Sequence, residues 1–320
     1  MNDNQRNSAK GSVRVPKRFQ IETIYSCNAS CGMCALSLPP TRKKGPMSMG
    51  VFKAIVDVMA PFSGEIEKVD LFGLGEPLLD PHIFDRIAYM KKRGFTNLAI
   101  STNADLLNED KRERLLYTGV ETVIFSVDGV SKRTHESIRP GVTFERVVGN
   151  CAAAIKLRDD SSYPTRFVIR FIRQESNLDE WEGFKEYWAP KLSFDKGDLI
   201  IAYDMNTMGG EVSSKENLVS DKIDRDIEKA PCNQVFERLI VLSDGTVPLC
   251  CEDTPKFKYA QGSALETPPI DIFNSTGFEN IRRLHLDGEK NRIPLCAQCT
   301  VLYSEGGVEI IDAYTTRNIV

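Results

Sequence analysis

"RFQIETIYSCNASCGMC", residues 18–34, runs from a strand-like segment directly into a loop with three cysteines, Cys27, Cys31 and Cys34. Tetrahedral thiolate coordination suits zinc or an iron–sulfur cluster. Three thiolates leave one coordination position open, and an open position is a feature of catalytic metal sites. The loop therefore predicts either a cluster with an open iron or a zinc site that a distant residue completes.

Strand and helix patterns alternate from this loop to about residue 207. Such alternation predicts a parallel sheet with right-handed crossovers, in which ligands bind at the carboxyl ends of the strands. Six strand–helix units fit a partial (β/α)6 TIM-type barrel, and a doubly wound sheet is the alternative. The segments that contain the six strands are residues 18–26, 66–79, 97–107, 122–129, 165–174 and 198–207.

The alternation stops near residue 209, where a polar stretch predicts a linker with a short helix. Ser243-Asp244-Gly245 is a turn signal between two β runs and predicts a hairpin. We expect an α/β barrel at residues 19–214 and a small C-terminal domain with a β-hairpin and helices at 215–320. Residues 1–18 are polar and predict a disordered or loosely attached arm.

Charge and composition limit the function classes. The formal net charge is 41 − 45 = −4, which argues against nucleic-acid binding and weakly favours small neutral or cationic ligands. No window is apolar enough to span a bilayer, and the N-terminus has no signal-peptide core, so we expect a cytoplasmic protein with no membrane partner. Cysteines are reduced in that compartment, so nine of them require a metal or redox explanation.

Four motifs in the first part of the chain resemble those of one enzyme family. They are the C-x3-C-x2-C loop with Met33 before its last cysteine, "GLGEP" at 73–77, "STN" at 101–103 and "SVDG" at 126–129. In this order, each after a predicted strand, they resemble the radical S-adenosylmethionine (SAM) enzymes. The resemblance implies a partial barrel that uses SAM and a [4Fe–4S] cluster.

The resemblance also implies roles for individual residues. The amino and carboxylate groups of SAM would fill the open position of the cluster, and Met33 would pack near the adenine. The implied cluster ligands are Cys27, Cys31 and Cys34, the implied contacts of the methionyl ammonium are Gly73, Gly75 and Glu76, and the candidate ribose or carboxylate contacts are Ser101, Asn103 and Ser126. Glycine suits such a contact because its backbone permits close approach.

A second cysteine pattern lies in the C-terminal part. Cys232, Gly245, Cys250, Cys296 and Cys299 form C-x12-G-x4-C-gap-C-x2-C. This spacing resembles the twitch domain, the shortened form of the SPASM domain, and implies one auxiliary [4Fe–4S] cluster with four protein ligands. A zinc ribbon is the alternative.

Two cysteines remain outside both patterns. Cys151 lies among small and apolar residues of a predicted helix and is expected to be a core thiol. Cys251 follows a predicted ligand, and in a strand its side chain would point to the opposite side. It is either a tolerated cysteine or a hydrogen-atom donor that faces the substrate.

Other polar residues lie near predicted strand ends. Asp128, Glu175 and Asp204 are candidates for a general base, and Arg170 is a candidate contact for a carboxylate. The three histidines lie apart in the sequence and are expected to be surface or helix residues.

We expect an epimerase that inverts one carbon of a carbohydrate, such as an aminoglycoside or another antibiotic sugar, with Cys251 as hydrogen donor. A dehydrogenase that oxidises a secondary alcohol through the auxiliary cluster is the alternative, and a peptide-modifying enzyme is a third possibility. The expected partners are a small sugar-like substrate and an electron donor of the flavodoxin or ferredoxin type.

Overall fold

The computed structural model describes residues 13–212, 230–253, 256–302 and 308–312. The predicted arm lies outside the described residues as far as residue 12. Most of the predicted linker, from 213 to 229, also lies outside them.

The twelve described strands form one large sheet and two small ones. The large sheet has the order β12-β8-β7-β6-β5-β4-β1-β9 and is parallel except for β12. Its six central strands are the six that the alternating pattern predicted. The strands are β1 Arg18–Ile21, β2 Ile24–Tyr25, β3 Gly45–Pro46, β4 Lys68–Asp70, β5 Leu98–Thr102, β6 Thr122–Ser126, β7 Arg166–Arg173, β8 Leu199–Asp204, β9 Arg238–Val241, β10 Thr246–Val247, β11 Gly262–Ser263 and β12 Glu309–Ile311.

Helices follow the parallel strands, as right-handed crossovers require. A helix that the sequence pattern did not predict, α4, follows β6. The helices are α1 Met49–Met59, α2 Ile83–Lys92, α3 Glu109–Tyr117, α4 Lys132–Ile138, α5 Phe144–Ser161, α6 Trp181–Trp188, α7 Gln234–Glu237, α8 Pro269–Phe273, α9 Thr276–Leu286 and α10 Pro294–Gln298.

Local sequence explains these elements. Ser48 caps α1 by accepting a hydrogen bond from the backbone N–H of Val51 at 3.2 Å. Phe52, Ile55 and Met59 then recur at helical spacing and are buried. β6 is buried at all five positions, as expected for a central parallel strand that is covered on both faces.

The predicted hairpin around residue 244 is wrong in its pairing. The turn is present, because the N–H of Leu242 donates to the carbonyl of Thr246 at 2.8 Å. However, β9 lies parallel beside β1, with Arg18 opposite Arg238, whereas β10 pairs with β11. Leu239 and Val241 in β9 are fully buried, and this strand extends the barrel sheet.

The large sheet remains open between β9 and β12, its two described edges. The structure therefore has the partial barrel that the sequence predicted, widened by two strands from the C-terminal part. Among the described residues, no helix has both the length and the apolar character needed to cross a membrane.

Candidate active site in the barrel interior

One cavity of about 550 Å³ lies inside the partial barrel. Its walls come from loops at the carboxyl ends of the strands, from inward-facing strand residues and from the C-terminal part. The predicted site residues that line it are Cys27, Cys31, Met33, Cys34, Gly73, Gly75, Glu76, Ser101, Asn103, Ser126 and Cys251. The structure therefore brings the four separate motifs of the sequence to one space.

The cysteine loop is anchored to neighbouring loops on two sides. The side-chain amide of Asn28 donates to Asp105 at 3.0 Å, and its oxygen accepts from Asn103 at 2.8 Å. The N–H of Ser30 donates to the carbonyl of Pro140 at 2.8 Å. These contacts fix the loop at the mouth of the barrel.

Polar N–H groups point at the sulfurs of this loop. The N–H of Ala29 donates to Cys27 Sγ at 3.3 Å, and Asn103 Nδ2 lies 3.8 Å from the same sulfur. Arg139 Nη1 lies 3.8 Å from Cys31 Sγ. Burial raises the pKa of Cys27 to about 12 and also raises the pKa of Cys31, where Arg139 opposes the shift. Donors of this kind stabilise thiolates, so the loop has the donor set that a cluster requires.

Gly73 and Gly75 are required by close packing onto the cysteine loop and the strand before it. A Cβ on Gly75 would lie 2.1 Å from the carbonyl oxygen of Ile24, and one on Gly73 would lie 2.7 Å from the carboxylate of Glu22. The contact that the structure shows for these glycines is thus between two loops of the protein. A larger residue at either position would push the loops apart.

Glu76 connects the loops after β4 and β5. Its carboxylate accepts from Thr102 Oγ1 at 2.7 Å, from the N–H of Asn103 at 2.8 Å and from the N–H of Leu78 at 3.0 Å. Glu76 is 3% exposed, and burial raises its pKa although these hydrogen bonds oppose the shift. A carboxylate has about four acceptor positions, so about one remains for a ligand.

Ser101 and Ser126 hold an arginine. Arg170 Nη2 donates to Ser101 Oγ at 3.0 Å and to Ser126 Oγ at 2.5 Å. The Nε of Arg170 is buried and has no hydrogen-bond partner among the described residues. Burial and the nearby Arg139 guanidinium lower the pKa of Arg170. The two hydroxyls thereby orient a cation in the cavity wall.

Asp128 does not have the environment expected of a general base. It is fully buried and accepts from Arg139 Nε at 2.6 Å and from the N–H of Ile172 at 2.8 Å. Its own N–H donates to His135 Nδ1 at 3.2 Å. Burial lowers the pKa of His135 to about 4, so this histidine is neutral at pH 7. Asp128 therefore positions Arg139 beside the cysteine loop.

The other two candidate bases differ from each other. Glu175 is exposed and does not line the cavity. Asp204 does line the cavity and accepts from Arg173 Nε at 2.7 Å. Met33, predicted to pack near the adenine, lines the cavity, and its sulfur accepts from Gln174 Nε2 at 3.5 Å.

A second group of cysteines lies in the C-terminal part and consists of Cys232, Cys250, Cys251, Cys296 and Cys299. Burial raises the pKa of Cys299, and the nearby thiols of Cys232 and Cys251 raise it further. The pKa of Cys250 is likewise raised by burial and by its neighbours Cys251 and Cys299, and that of Cys296 by burial and by Cys232. Residues that lie up to 67 positions apart in the sequence, from 232 to 299, thus converge.

His285 lies on a helix, α9, as expected, and this helix places it beside the second group of cysteines. Its Nδ1 accepts from the N–H of Cys232 at 3.1 Å, and its Nε2 lies 3.6 Å from Cys296 Sγ. Burial and Lys290 lower the pKa of His285 to about 4, so the ring is neutral and its proton lies on Nε2. His285 therefore donates to Cys296. The spacing of the motif contained no sign of this contact.

Cys251 begins a 3₁₀ turn, Cys251–Asp253, and the expected alternation of a strand does not apply to it. Cys251 nevertheless lines the barrel cavity, and its Sγ lies 3.7 Å from Gln234 Oε1 and 3.5 Å from Glu252 Oε1. Burial and Glu252 raise the pKa of Cys251 to about 12, and Arg238 opposes the shift. Cys251 is thus close both to the second group of cysteines and to the barrel interior.

Four basic residues that the sequence interpretation did not use line the amino end of the cavity: Arg18, Lys68, Arg166 and Arg238. Each is the first residue of a strand of the large sheet. The signal was present in the sequence, since the segments "RFQI", "KVD", "RFVI" and "RLIV" all begin with a cation.

A partial parallel barrel with thiols at the carboxyl ends of its strands defines a class of cofactor-dependent barrel enzymes. Residues 21–170 match the radical SAM superfamily, and residues 232–300 match the SPASM iron–sulfur cluster-binding domain. The chain therefore contains a radical SAM domain and a C-terminal SPASM domain.

Relatives and solved structures agree with this assignment. The tungsten-containing aldehyde ferredoxin oxidoreductase cofactor-modifying protein of Pyrococcus furiosus is 33% identical over 41% of this chain and 37% of its own length. The chain thus matches little more than a third of that curated relative. BtrN in complex with AdoMet and 2-DOIA has a TM-score of 0.60 at 17% identity, covering 89% of this chain and 93% of its own. Streptococcus suis SuiB bound to precursor peptide SuiA has a TM-score of 0.62 at 14% identity, covering 83% of this chain and 66% of its own.

These matches identify the cofactors. The radical SAM domain uses SAM and a [4Fe–4S] cluster, and the SPASM domain carries auxiliary iron–sulfur clusters. The buried thiols with their N–H donors fit such clusters, because hydrogen bonds to the sulfurs are among the features that tune them.

Proposed function

We propose that this chain is a carbohydrate epimerase, in which Cys251 donates a hydrogen atom to the face of a substrate carbon opposite SAM. One observation carries the proposal: Cys251, from the SPASM domain, lines the same cavity as the cysteine loop of the barrel. An inversion requires one group that removes hydrogen and a second that returns it on the other face. In this chain the cysteine loop lines the cavity for the first group, and Cys251 lines it for the second.

The cluster and SAM sites follow from the positions described above. We propose that the loop cluster is held by Cys27, Cys31 and Cys34 and one auxiliary cluster by Cys232, Cys250, Cys296 and Cys299, with the division between domains near residue 215. When bound, SAM and its cluster would supply the radical chemistry for removing a hydrogen atom, and the auxiliary cluster would supply the electron for returning Cys251, with a proton, to its thiol form.

The remaining steps belong to side chains of this protein. Gly73 and Gly75 let their loop pack against the cysteine loop, and the free acceptor position of Glu76 takes the methionyl ammonium. Met33 borders the adenine, and Ser101, Asn103 and Ser126 surround the ribose and carboxylate. Arg170, held by the two serines, adds a positive charge for the carboxylate.

A dehydrogenase is the second candidate, because Asp204 lines the cavity at the end of β8. A carboxylate in this position is placed to take the proton of a substrate hydroxyl, and the auxiliary cluster would then accept the electron. The hydrogen bond from Arg173 Nε, at 2.7 Å, holds the Asp204 carboxylate at this position.

The two candidates are separated by product mass. The reconstituted enzyme would be screened anaerobically in D₂O with a panel of sugars, and 5′-deoxyadenosine release would identify a substrate. An epimerase gives a product that differs from the substrate only by one deuterium at the inverted carbon. A product two hydrogens lighter identifies the dehydrogenase.

Cys251→Ala tests the hydrogen donor directly. We expect this variant to form 5′-deoxyadenosine but to lose the epimer, whereas Cys151→Ala, at a buried thiol outside the cavity, retains turnover. Full turnover by Cys251→Ala would remove Cys251 from the mechanism. We further propose a cytoplasmic location and an electron donor of the flavodoxin or ferredoxin type.

A further inference from the structure

We propose that the amino end of the cavity is a phosphate-binding subsite and that the substrate is a phosphorylated sugar. The proposal rests on the proposed function only in taking the barrel cavity as the substrate site. The subsite consists of Asp70 and the four basic residues at the amino end of the cavity, which we call the basic row: Arg18, Lys68, Arg166 and Arg238.

Strand register places these cations side by side. Arg18 pairs in register with Lys68 on β4 and with Arg238 on β9. Neighbouring strands lie about 4.8 Å apart, and residues in register on parallel strands face the same side. Arg166 begins β7 and also lines the cavity, opposite Thr122 of β6. Three cations therefore form a row across three adjacent strands, and a fourth faces them.

The chain neutralises little of this charge. Asp70 accepts from Arg18 Nε at 2.8 Å and lies 3.7 Å from Lys68 Nζ. Arg166 Nε donates to the neutral hydroxyl of Thr122 at 2.9 Å. Among the described residues, no carboxylate lies within 4.0 Å of Arg166 or Arg238. Among the described residues, the four cations thus have one carboxylate, Asp70, within 4.0 Å.

One nitrogen of the row is buried without a partner. Arg238 Nε has no hydrogen-bond partner among the described residues. A buried donor that is left unpaired costs about 1–3 kcal/mol. A bound anion would give this donor a partner.

Adjacent like charges across strands are themselves destabilising. Their effect is visible at Lys68, whose pKa is lowered by burial and further by Arg18, Arg166 and Arg238, while Asp70 opposes the shift. An anion bound in the row would remove both the repulsion and the unpaired donor.

The size of the charge imbalance favours phosphate over carboxylate. The row carries an excess of about three positive charges, and a phosphate monoester brings about −1.5 to −2 with three acceptor oxygens, roughly twice the charge of a carboxylate. Arginine is also the side chain best suited to bidentate contact with phosphate.

The position fits a ligand that reaches towards SAM. Arg166 and Arg170 are four residues apart on β7, which corresponds to roughly 13 Å along the strand. A phosphate bound at Arg166 thus lies below the level of Arg170 and the two serines, in the same cavity. Arg238, at the end of the row, is near enough to Cys251 to oppose the rise of its pKa.

The charge of the cavity lining is opposite in sign to the charge of the whole chain. The chain is acidic overall, at −4, which weakly favours small neutral or cationic ligands. The cavity is the reverse, since its described lining contains Arg18, Lys68, Arg139, Arg166, Arg170 and Arg238 but only Glu76, Asp204 and Glu252 as acids. A polycationic aminoglycoside would be repelled there.

The test measures binding and does not depend on turnover. Calorimetry on the intact enzyme with both clusters would use inorganic phosphate, glucose 6-phosphate, glucuronate and glucosamine as probes. Arg166→Gln/Arg238→Gln is the test variant, and Arg133→Gln, at an exposed arginine, is the matched control. Because only affinities are compared, failure of the epimerase proposal leaves this result intact.

We expect saturable binding of phosphate and glucose 6-phosphate that weakens with salt. The affinity should fall at least about tenfold in the double variant and stay unchanged in Arg133→Gln. Phosphate should also raise the thermal midpoint of the wild type but not of the double variant. Equal affinity in wild type and double variant, or tighter binding of glucuronate or glucosamine than of glucose 6-phosphate, would overturn the proposal.

Discussion

The two ends of the barrel cavity differ in how the protein balances its own charges. At the carboxyl end, Glu76 accepts from three donors, and Arg139 is paired with the fully buried Asp128. At the amino end, Asp70 is the one carboxylate of the described residues that pairs with the basic row. Glu76 and Arg139 thus have partners within the protein, whereas Arg166 and Arg238 have no carboxylate within 4.0 Å among the described residues.

The two ends of the cavity thus suit two kinds of ligand: a cofactor that is constant in the superfamily and a substrate that varies. A cofactor that is the same throughout a superfamily can be met by side chains that are already positioned and satisfied, which lowers the cost of binding. The substrate brings its own charge, and a site that lacks an anion is selective for it. Four predictions test this contrast, in order of decreasing effect.

Loss of one thiol at the carboxyl end should abolish the radical reaction. Cys31→Ala leaves two thiols on the loop, so iron content should fall from about eight to about four per chain, and 5′-deoxyadenosine should become undetectable. Cys151→Ala, at the buried thiol of α5, should keep both. Anaerobic iron and sulfide analysis measures the outcome, and full iron in Cys31→Ala would exclude it as a ligand.

Removal of an arginine should have opposite consequences at the two ends. Arg139→Met leaves Asp128 buried and unpaired, which costs about 3–5 kcal/mol. Arg166→Met removes one of four like charges and should change stability by less than about 1 kcal/mol, or increase it. Urea unfolding midpoints of the two variants give the comparison. Equal losses would show that the ends do not differ.

Burial of His135 at the carboxyl end should make the folded protein less stable in acid. His135 has a pKa lowered to about 4 by burial, against an ordinary value near 6.5. Between these values the unfolded chain binds a proton that the folded chain does not, so stability falls by up to roughly 3 kcal/mol as the pH drops from about 6.5 to about 4. His135→Gln, which retains an acceptor for the N–H of Asp128, should flatten this limb, whereas His82→Gln at the surface should not.

The smallest effect concerns the second cysteine group. His285→Phe removes the N–H donor to Cys296. A hydrogen bond of about 1 kcal/mol that strengthens on reduction corresponds to about 40 mV, so the midpoint potential of the auxiliary cluster should fall by about that amount. A redox titration followed by electron paramagnetic resonance would measure it. An unchanged potential would mean that His285 only supports the fold.

Sequence alone predicted the elements whose signals are local. The six central strands are apolar runs between helices, and the spacing of Cys27, Cys31 and Cys34 is sufficient to identify the loop. Strands β9 and β12 have only four and three residues, and their places at the sheet edges depend on register.

The contacts that sequence did not predict join distant positions. The basic row combines residues 18, 68, 166 and 238, which meet only because their strands start at one end of the barrel. Likewise, Arg170 meets Ser101 across 69 positions, and His285 meets Cys232 across 53. No local periodicity encodes such pairings.

The pairing of β9 with β1 makes the two functional parts inseparable. A fragment that ends before β9 would leave one edge of β1 unpaired, and β1 contains the apolar Phe19 and Ile21. Unpaired strands of this kind recruit other chains into aggregates. Truncation at a domain boundary taken from the linker should therefore yield insoluble protein. Exchange of SPASM domains between enzymes of this fold must preserve this edge strand.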